Sequence, residues 1–404
     1  MKSLLILGRQ PALGLAELES LYGAENIQPF AGFSALVNIA PQDIHFARLG
    51  GSTRLCKILT KLPSTHWPEI KNYLLDTMPK HATALPDGKL TFGVSIFGIK
   101  VNLKELERVL LEVKKKIKAT GRSVRIVPNK LPELNAAQVL HNKLTAQNGW
   151  ELVIVSDGIT AYLAQTVHIQ DIEGYAARDQ ARPYRDTRVG MLPPKLAQVI
   201  VNLAGTHTLL TNSDLSPDPH AKVARMLDPF CGTGVTLQEA SLVGYDVYGT
   251  DLEPRMVEYS IGNLHWLRQK WNDIDNSVRI ELGDATSHTW DQPIDMVAAE
   301  TYLGVPLTNM PKPGDLRKII DNVDAIHEKF LRNIAPQLKP GTRLCLAVPA
   351  WSVVSDAFVR LPVLDHLKEL GYNEVKFVHA SKSDLIYHRE NQLVARELVV
   401  ITKE

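Results

Sequence analysis

The chain alternates between two hydrophobic periods, and their order divides it. Near the start, SLLILG reads as a strand, ALGLAELESLYG as a helix and FSALVNI as a second strand. PQDIHFARLGGSTRLCKIL reads as helical with a Gly-Gly break, and the prolines of LPSTHWPEI mark a boundary. LTFGVSIF at 90–97 alternates as a strand does, and NLKELERVLLEVKKKIKATG then sets Leu103, Leu106, Leu110, Val113 and Ile117 on one helical face. Asn102 is placed to cap that helix and Gly121 to stop it. VRIVPNK and ELVIVSDG are strands around a helical NAAQVLHNKLTAQ, and AYLAQTVHI closes the unit. DIEGYAARDQARPYRDTRVGMLPP has little apolar periodicity and reads as a linker. From Pro194 the helix KLAQVIVNLAG opens a run of strand–helix repeats, which predicts a parallel sheet wound with helices.

At 404 residues the chain suits two or three domains. No apolar run reaches the roughly 20 residues a membrane span needs. MKSLLILGRQP continues into helix, so it reads as a first folded element rather than a signal peptide. Three cysteines, far apart and without a CxxC, argue against a disulfide framework or a zinc site and fit a reducing cytoplasm. The net charge of +1 conceals an asymmetry. Residues 1–190 hold 24 Lys and Arg against 17 Asp and Glu, whereas 191–404 hold 21 against 27. A basic first half points to a polyanionic partner. Its candidate contacts are Lys114, Lys115, Lys116 and Lys118, opposite the apolar stripe, and Arg178, Arg182, Arg185 and Arg188 in the linker.

The most informative stretch is VARMLDPFCGTGVTLQEASLVGYDVYGTDLEP. MLD ends a strand, FCGTG is a tight turn, and a helix begins at or just after it. Gly232 and Gly234 leave room for backbone to approach a ligand, and the helix start offers free N–H groups. Asp251 lies 17 positions beyond Gly234 at the end of the next strand, where an acid can accept from both hydroxyls of a ribose. The dinucleotide pattern GxGxxG is absent, and Asp228 before the turn would repel a pyrophosphate. An acid there suits a cationic nucleoside such as S-adenosylmethionine. D-P-F-C-G-T-G resembles the first motif of the class I methyltransferases, and that resemblance implies that Asp284, which ends a third strand in ELGDAT, meets the adenine amino group. Cys231 lies on the cofactor side of such a site and Cys345 within an apolar run, so neither is expected to be a nucleophile.

The fourth strand of this half, IDMVAAE, runs into Glu300, Thr301 and Tyr302, and chemistry in a parallel sheet sits beyond such strand ends. Enzymes that methylate an exocyclic amine usually carry [DN]-P-P-[YFW] here. The acid or amide accepts hydrogen bonds from the amine, and the aromatic residue stacks on a flipped base. In A-E-T-Y-L-G both prolines are absent, with Glu300 at the acid position and Tyr302 or Leu303 at the aromatic one.

Taken together, these segments resemble the THUMP-class tRNA guanine N2-methyltransferases, the archaeal and eukaryotic enzymes acting on guanosine ten. LLILGRQPALGLAELESLY, ARLGGSTRLCKIL, NAAQVLHNKL, ARPYRDTRVGMLPPKLAQVIVNLAG, DPFCGTGVTLQEA and YHRENQLVARELVVITK carry the resemblance along nearly the full length, and ETYLG stands where the family has a DPPYG-type motif. It implies an α/β chain whose C-terminal half is a Rossmann-like class I S-adenosylmethionine-dependent methyltransferase domain, with a mostly parallel sheet and an antiparallel last strand. An N-terminal α+β ferredoxin-like domain (1–70), a THUMP RNA-binding domain (71–170) and a linker (171–190) would precede that domain, which spans 191–404. Pro194, Asp228, Pro229, Phe230, Gly232, Thr233, Gly234, Asp251, Leu252, Asp284 and Ala285 would hold the methyl donor, with Leu192, Pro193 and Lys195 beside them. Glu300, Thr301 and Tyr302 would be catalytic. The N-terminal and THUMP domains would grip the tRNA acceptor stem and 3′ end, with the lysine run, Arg182, Arg185 and Arg188 as phosphate contacts, and Arg389, also an RNA contact, would lie with Gln392 near the base pocket. Two alternatives stay open: methylation of adenine N6 or cytosine N4, and a tRNA-binding protein that is inactive or needs an activator subunit.

Overall fold

The computed structural model describes residues 1–186, 191–205, 223–271, 274–354, 357–389 and 392–404. They form two compact units, one of Met1–Pro11, Glu25–Ala47 and Ser52–Ile172, the other of Ala12–Ala24, Arg48–Gly51 and Glu173–Glu404. No helix among the described residues is long and apolar enough to cross a membrane.

The first unit is built on an eight-stranded sheet in the order β2-β3-β1-β4-β8-β7-β5-β6. Its strands are β1 (Ser3–Leu7), β2 (Ile27–Phe30), β3 (Ser34–Val37), β4 (Ser52–Lys61), β5 (Leu90–Phe97), β6 (Val124–Ile126), β7 (Gly149–Ser156) and β8 (Ala161–Ile169). The stretch read as helical before residue 61 is instead two short 3-10 turns and the ten-residue strand β4. β4 pairs with β1 on one side and β8 on the other, so residue 70 is not a break in the sheet. A buried polar network crosses that junction. Glu151 on β7 takes Arg54 Nε from β4 at 3.2 Å, Ser95 Oγ from β5 at 2.6 Å and Thr166 Oγ1 from β8 at 2.6 Å. Burying a carboxylate is tolerable only with such partners.

Of the helices α2 (Trp67–Thr83), α3 (Leu103–Ala119) and α4 (Ala136–His141), α3 follows its sequence pattern closely. Asn102 accepts from the Lys104 N–H at its start, and Leu106, Val109, Leu110, Val113 and Ile117 are buried, each contributing about 2 kcal/mol relative to exposure. Leu103, expected in that stripe, is largely exposed because it sits at the first turn, and Val109 takes its place.

The second unit carries the strand order β11-β10-β9-β12-β13-β17-β15, with β14 and β16 at the rim. These are β9 (Arg225–Asp228), β10 (Asp246–Asp251), β11 (Val278–Leu282), β12 (Met296–Glu300), β13 (Arg343–Val354), β14 (Ala357–Val359), β15 (Tyr372–Glu374), β16 (Ile386–Tyr387) and β17 (Val394–Lys403). β11, β10, β9, β12 and β13 pair in parallel, whereas β17 is antiparallel to β13 and β15. The chain leaves β9 toward β10 and later returns to β12 on its other side, so β9 and β12 flank the switch point where α/β sheets bind ligands.

Helices α1 (Pro11–Tyr22), α5 (Ile172–Ala176), α6 (Pro194–Ala204), α7 (Val235–Leu242), α8 (Pro254–Lys270) and α9 (Pro313–Ile334) complete the description. α1, α6 and α7 share a core with Met226, Met296, Ala298, Cys345, Ala347, Leu398 and Val400 on one sheet face. α9 covers Leu227, Val297, Ala299, Leu344 and Leu346 on the other. α1 belongs here because Glu17 accepts from the Gly50 and Gly51 N–H groups at 2.9 Å each and from Asn202 Nδ2 of α6 at 2.8 Å. Gly51 must be glycine, since a Cβ there would stand 2.5 Å from Gly14 Cα.

Candidate functional site

Asp228 closes β9, and the chain turns through Pro229, Phe230, Cys231, Gly232, Thr233 and Gly234 into α7. Gly232 and Gly234 take φ of 51° and 79°, left-handed values that a side chain would oppose. A Cβ on Gly234 would also press on Ser260 Oγ at 2.9 Å. That closeness lets α8 hold the loop by its carbonyls: Ser260 Oγ donates to Gly232 O at 2.7 Å and Asn263 Nδ2 to Thr233 O at 2.8 Å. Asn263 also grips the linker, accepting from the Tyr184 N–H at 3.0 Å and donating to Tyr184 O at 2.9 Å. Tyr184 stacks on Tyr259 with ring centroids 4.9 Å apart.

Asp251, at the end of β10, holds the same loop from the strand side. Its Oδ2 accepts from the Gly232 N–H and its Oδ1 from the Glu253 N–H, both at 2.9 Å. Each oxygen keeps a further lone pair for a ligand hydroxyl. Asp228 is 1% exposed, and its Oδ1 accepts from the Phe230 N–H at 3.1 Å. Burial pushes its carboxyl up to about 8, opposed by the Phe230 and Thr236 hydrogen bonds and reinforced by the charges of Asp251 and Glu300. Burial likewise raises Asp251. The acids at the ends of β9, β10 and β12 therefore lie close enough for the charges of Asp251 and Glu300 to act on Asp228. Burial holds the Cys231 thiol well above its ordinary value, with Asp228 and Asp251 adding to the effect, so no thiolate nucleophile forms there.

The acid–hydroxyl–aromatic sequence after β12 splits by strand alternation. Glu300 falls on the face of Met296 and Ala298, the face that also bears Asp228. There it forms an ion pair with Arg396 of β17, an arginine 5% exposed that sequence reasoning missed. Thr301 falls on the opposite face and is buried. Its hydroxyl lies 2.7 Å from His327 Nε2 of α9, while His327 Nδ1 lies 2.8 Å from Val323 O. Burial lowers His327 to about 4, so the ring is neutral, Nδ1–H donates to the carbonyl and Nε2 accepts from Thr301. Thr301 is thus committed to the core and does not face the Asp228 side. Thr301→Val should destabilise the fold by about 1–2 kcal/mol through the orphaned imidazole nitrogen, checked by denaturant unfolding. Tyr302, by contrast, is 41% exposed.

The other expected donor residues lie as follows. Pro194 opens α6 and is buried, as is Leu192. Lys195 is set over the Tyr175 ring at 5.2 Å, and burial lowers its ammonium. Leu252 is an exposed apolar side chain beside Asp251, and Ala285 is buried beside Asp284. Asp284 Oδ1 accepts from the Thr286 N–H and hydroxyl at 2.9 and 2.7 Å.

Among the expected RNA contacts, Lys115, Lys116 and Lys118 are exposed on α3, with Lys114 half-buried. Arg185 is exposed, but Arg182 is 2% exposed, so it is sealed away from any surface phosphate. Arg178 is buried against Glu239 at 2.6 Å. Arg389 is exposed and bonds Tyr387 Oη at 2.8 Å, and the Gln392 N–H donates to Arg389 O at 3.1 Å. Arg188 lies outside the described residues.

A family model described as a methyltransferase domain matches residues 220–391. The tRNA (guanine(10)-N2)-dimethyltransferase of Methanothermobacter thermautotrophicus is 30% identical over 173 residues, 42% of this chain and 43% of that protein. Its counterpart in Methanocaldococcus jannaschii is 25% identical over 173 residues, 41% of this chain and 43% of that protein. The crystal structure of TrmN from Thermus thermophilus aligns over 100% of both chains at a TM-score of 0.50 and 20% identity, and so shares the fold. Residues 220–391 thus carry a methyltransferase domain, and the chain is homologous to the archaeal tRNA (guanine(10)-N2)-dimethyltransferases along less than half of their length.

Proposed function

We propose that this chain transfers a methyl group from S-adenosylmethionine to the exocyclic N2 of a guanosine in tRNA. The observation that carries the reading is Asp228, a buried acid beside Asp251 and Glu300 that forms no ion pair among the described residues. A ligand bringing positive charge to that point relieves the cost, which a pyrophosphate would increase. When bound, S-adenosylmethionine supplies an electrophilic methyl on a sulfonium.

In this reading Asp228 faces the charged end of the donor, and Asp251 accepts from the ribose hydroxyls with its remaining lone pairs. Leu252 and Ala285 give the adenine apolar walls, and Asp284 meets its amino group. Pro194, Pro229, Phe230, Gly232, Thr233 and Gly234 shape the remainder. Glu300 holds the target amine by its hydrogens so that the nitrogen lone pair points at the methyl. Once that nitrogen is methylated and cationic it sheds a proton readily, so a strong base is not required. Tyr302, exposed beside Glu300, is available to stack on the base. The exposed lysines of α3 and Arg185 are placed to contact phosphate, which fits the tRNA named for the archaeal relatives as the partner, met in the cytoplasm.

The test has two parts. Labelled donor and unmodified tRNA, followed by nucleoside mass spectrometry, should give N2-methylguanosine, whereas N6-methyladenosine or N4-methylcytidine would move the reading to another amine. Asp251→Ala should weaken donor binding at least ~100-fold by calorimetry, and normal affinity would remove Asp251 from the donor site.

A further inference from the structure

Arg396 reaches Glu300 across an intervening strand. Glu300 of β12 stands opposite Ala347 of β13, and on the far side of β13 Leu398 and Arg396 stand opposite Ala347 and Pro349. Ala347 is fully buried and has only a methyl group, which leaves the guanidinium its path over the sheet. Arg396 Nε donates to Glu300 Oε1, with the arginine side chain 6% and the glutamate 16% exposed.

Such a pair is a poor way to gain stability. Leu398 and Val400 occupy the same face of β17, and apolar side chains fill buried positions at no desolvation cost. What the arginine provides is orientation. Glutamate has one more rotatable bond than aspartate, and the stiff prolines expected after the acid are replaced by Thr301 and Tyr302. A fixed guanidinium opposes that freedom by taking one oxygen in a charge-assisted hydrogen bond.

We propose that Arg396 is the positioning residue for Glu300, committing Oε1 and turning Oε2 toward the substrate amine. The inference rests on the methyl-transfer reading above, and the wild-type reaction is the control that separates the two. If the wild type transfers no methyl group to tRNA, that reading falls and this inference with it. Given wild-type transfer, Arg396→Met should slow single-turnover methylation at least ~30-fold while donor Kd, measured by calorimetry, moves less than ~3-fold. Arg396→Lys keeps a charge in place and should recover at least ~5-fold of that loss. In a Glu300→Ala background the same Arg396→Met change should cost less than ~2-fold, because a residue acting through another has nothing left to position. Multiplicative losses in the double variant, or a fall in donor affinity as large as the fall in rate, would assign Arg396 to structure alone. Should Arg396→Met fail to fold, Arg396→Lys in both backgrounds completes the same cycle.

Discussion

Asp228→Asn should melt at a higher temperature than the parent chain at pH 8.5, and it should bind S-adenosylmethionine at least ~100-fold more weakly. Both outcomes come from one buried carboxyl. Its ordinary pKa is 3.8 and in the fold it stands at about 8, so the native state prefers it protonated. A raised acid contributes its stability in full below about 4 and loses it progressively as pH rises through 8. Above pH 8 the free protein therefore carries an ionised acid that it would rather neutralise, at a cost of at most ~6 kcal/mol. Asparagine keeps an acceptor for the Phe230 N–H and removes the charge. The melting temperature of the ligand-free variant should exceed that of the parent by several degrees at pH 8.5, with the gap closing toward pH 5. Donor affinity should fall at least ~100-fold, as removing one member of a buried charged pair commonly does. A variant melting with the parent's pH slope would show that Asp228 is ionised without strain. One that bound donor normally would take Asp228 out of the site.

How far the sequence disclosed this arrangement depended on how local each feature was. The glycine loop was legible because its requirements are written in adjacent residues: an acid, two left-handed turns and a helix start within seven positions from Asp228 to Gly234. Asn102 and the α3 stripe were legible for the same reason, apart from the first-turn position of Leu103. β4 was misread because its first half is covered on both faces, with Arg54, Leu55 and Cys56 buried in succession, so the alternation of a half-buried strand is lost there. The burial of Glu17 has no local signal, since its partners lie 33 to 185 positions away. Arg396 belongs to the same class, since 96 positions separate it from Glu300. The fate of Thr301 could have been foreseen. If Glu300 faces the ligand side of its strand, the next residue faces the other side, and a buried hydroxyl there needs a core partner.

Glu300→Gln separates binding from transfer more sharply than any other single change. Glutamine keeps an oxygen for Arg396 and nearly the same volume, so the end of β12 retains its shape. What it loses is the charge and one acceptor oxygen, with an amide donor pointing where an amine hydrogen should be received. Single-turnover methylation should slow at least ~100-fold, the usual consequence of removing an aligning polar group from a reacting centre. Donor affinity should not suffer through electrostatics, because the Glu300 charge raises the pKa of Asp228 and its removal makes the ionised, donor-holding form of Asp228 easier to reach. Glu300→Ala should be at least as slow, and it also strips Arg396 of its partner, so its melting temperature should fall while that of Glu300→Gln holds. Rapid-quench turnover and calorimetric titration of the same preparations decide the matter. If turnover is unchanged while donor binding stays normal, the amine is aligned by another group and Glu300 serves only to neutralise Arg396.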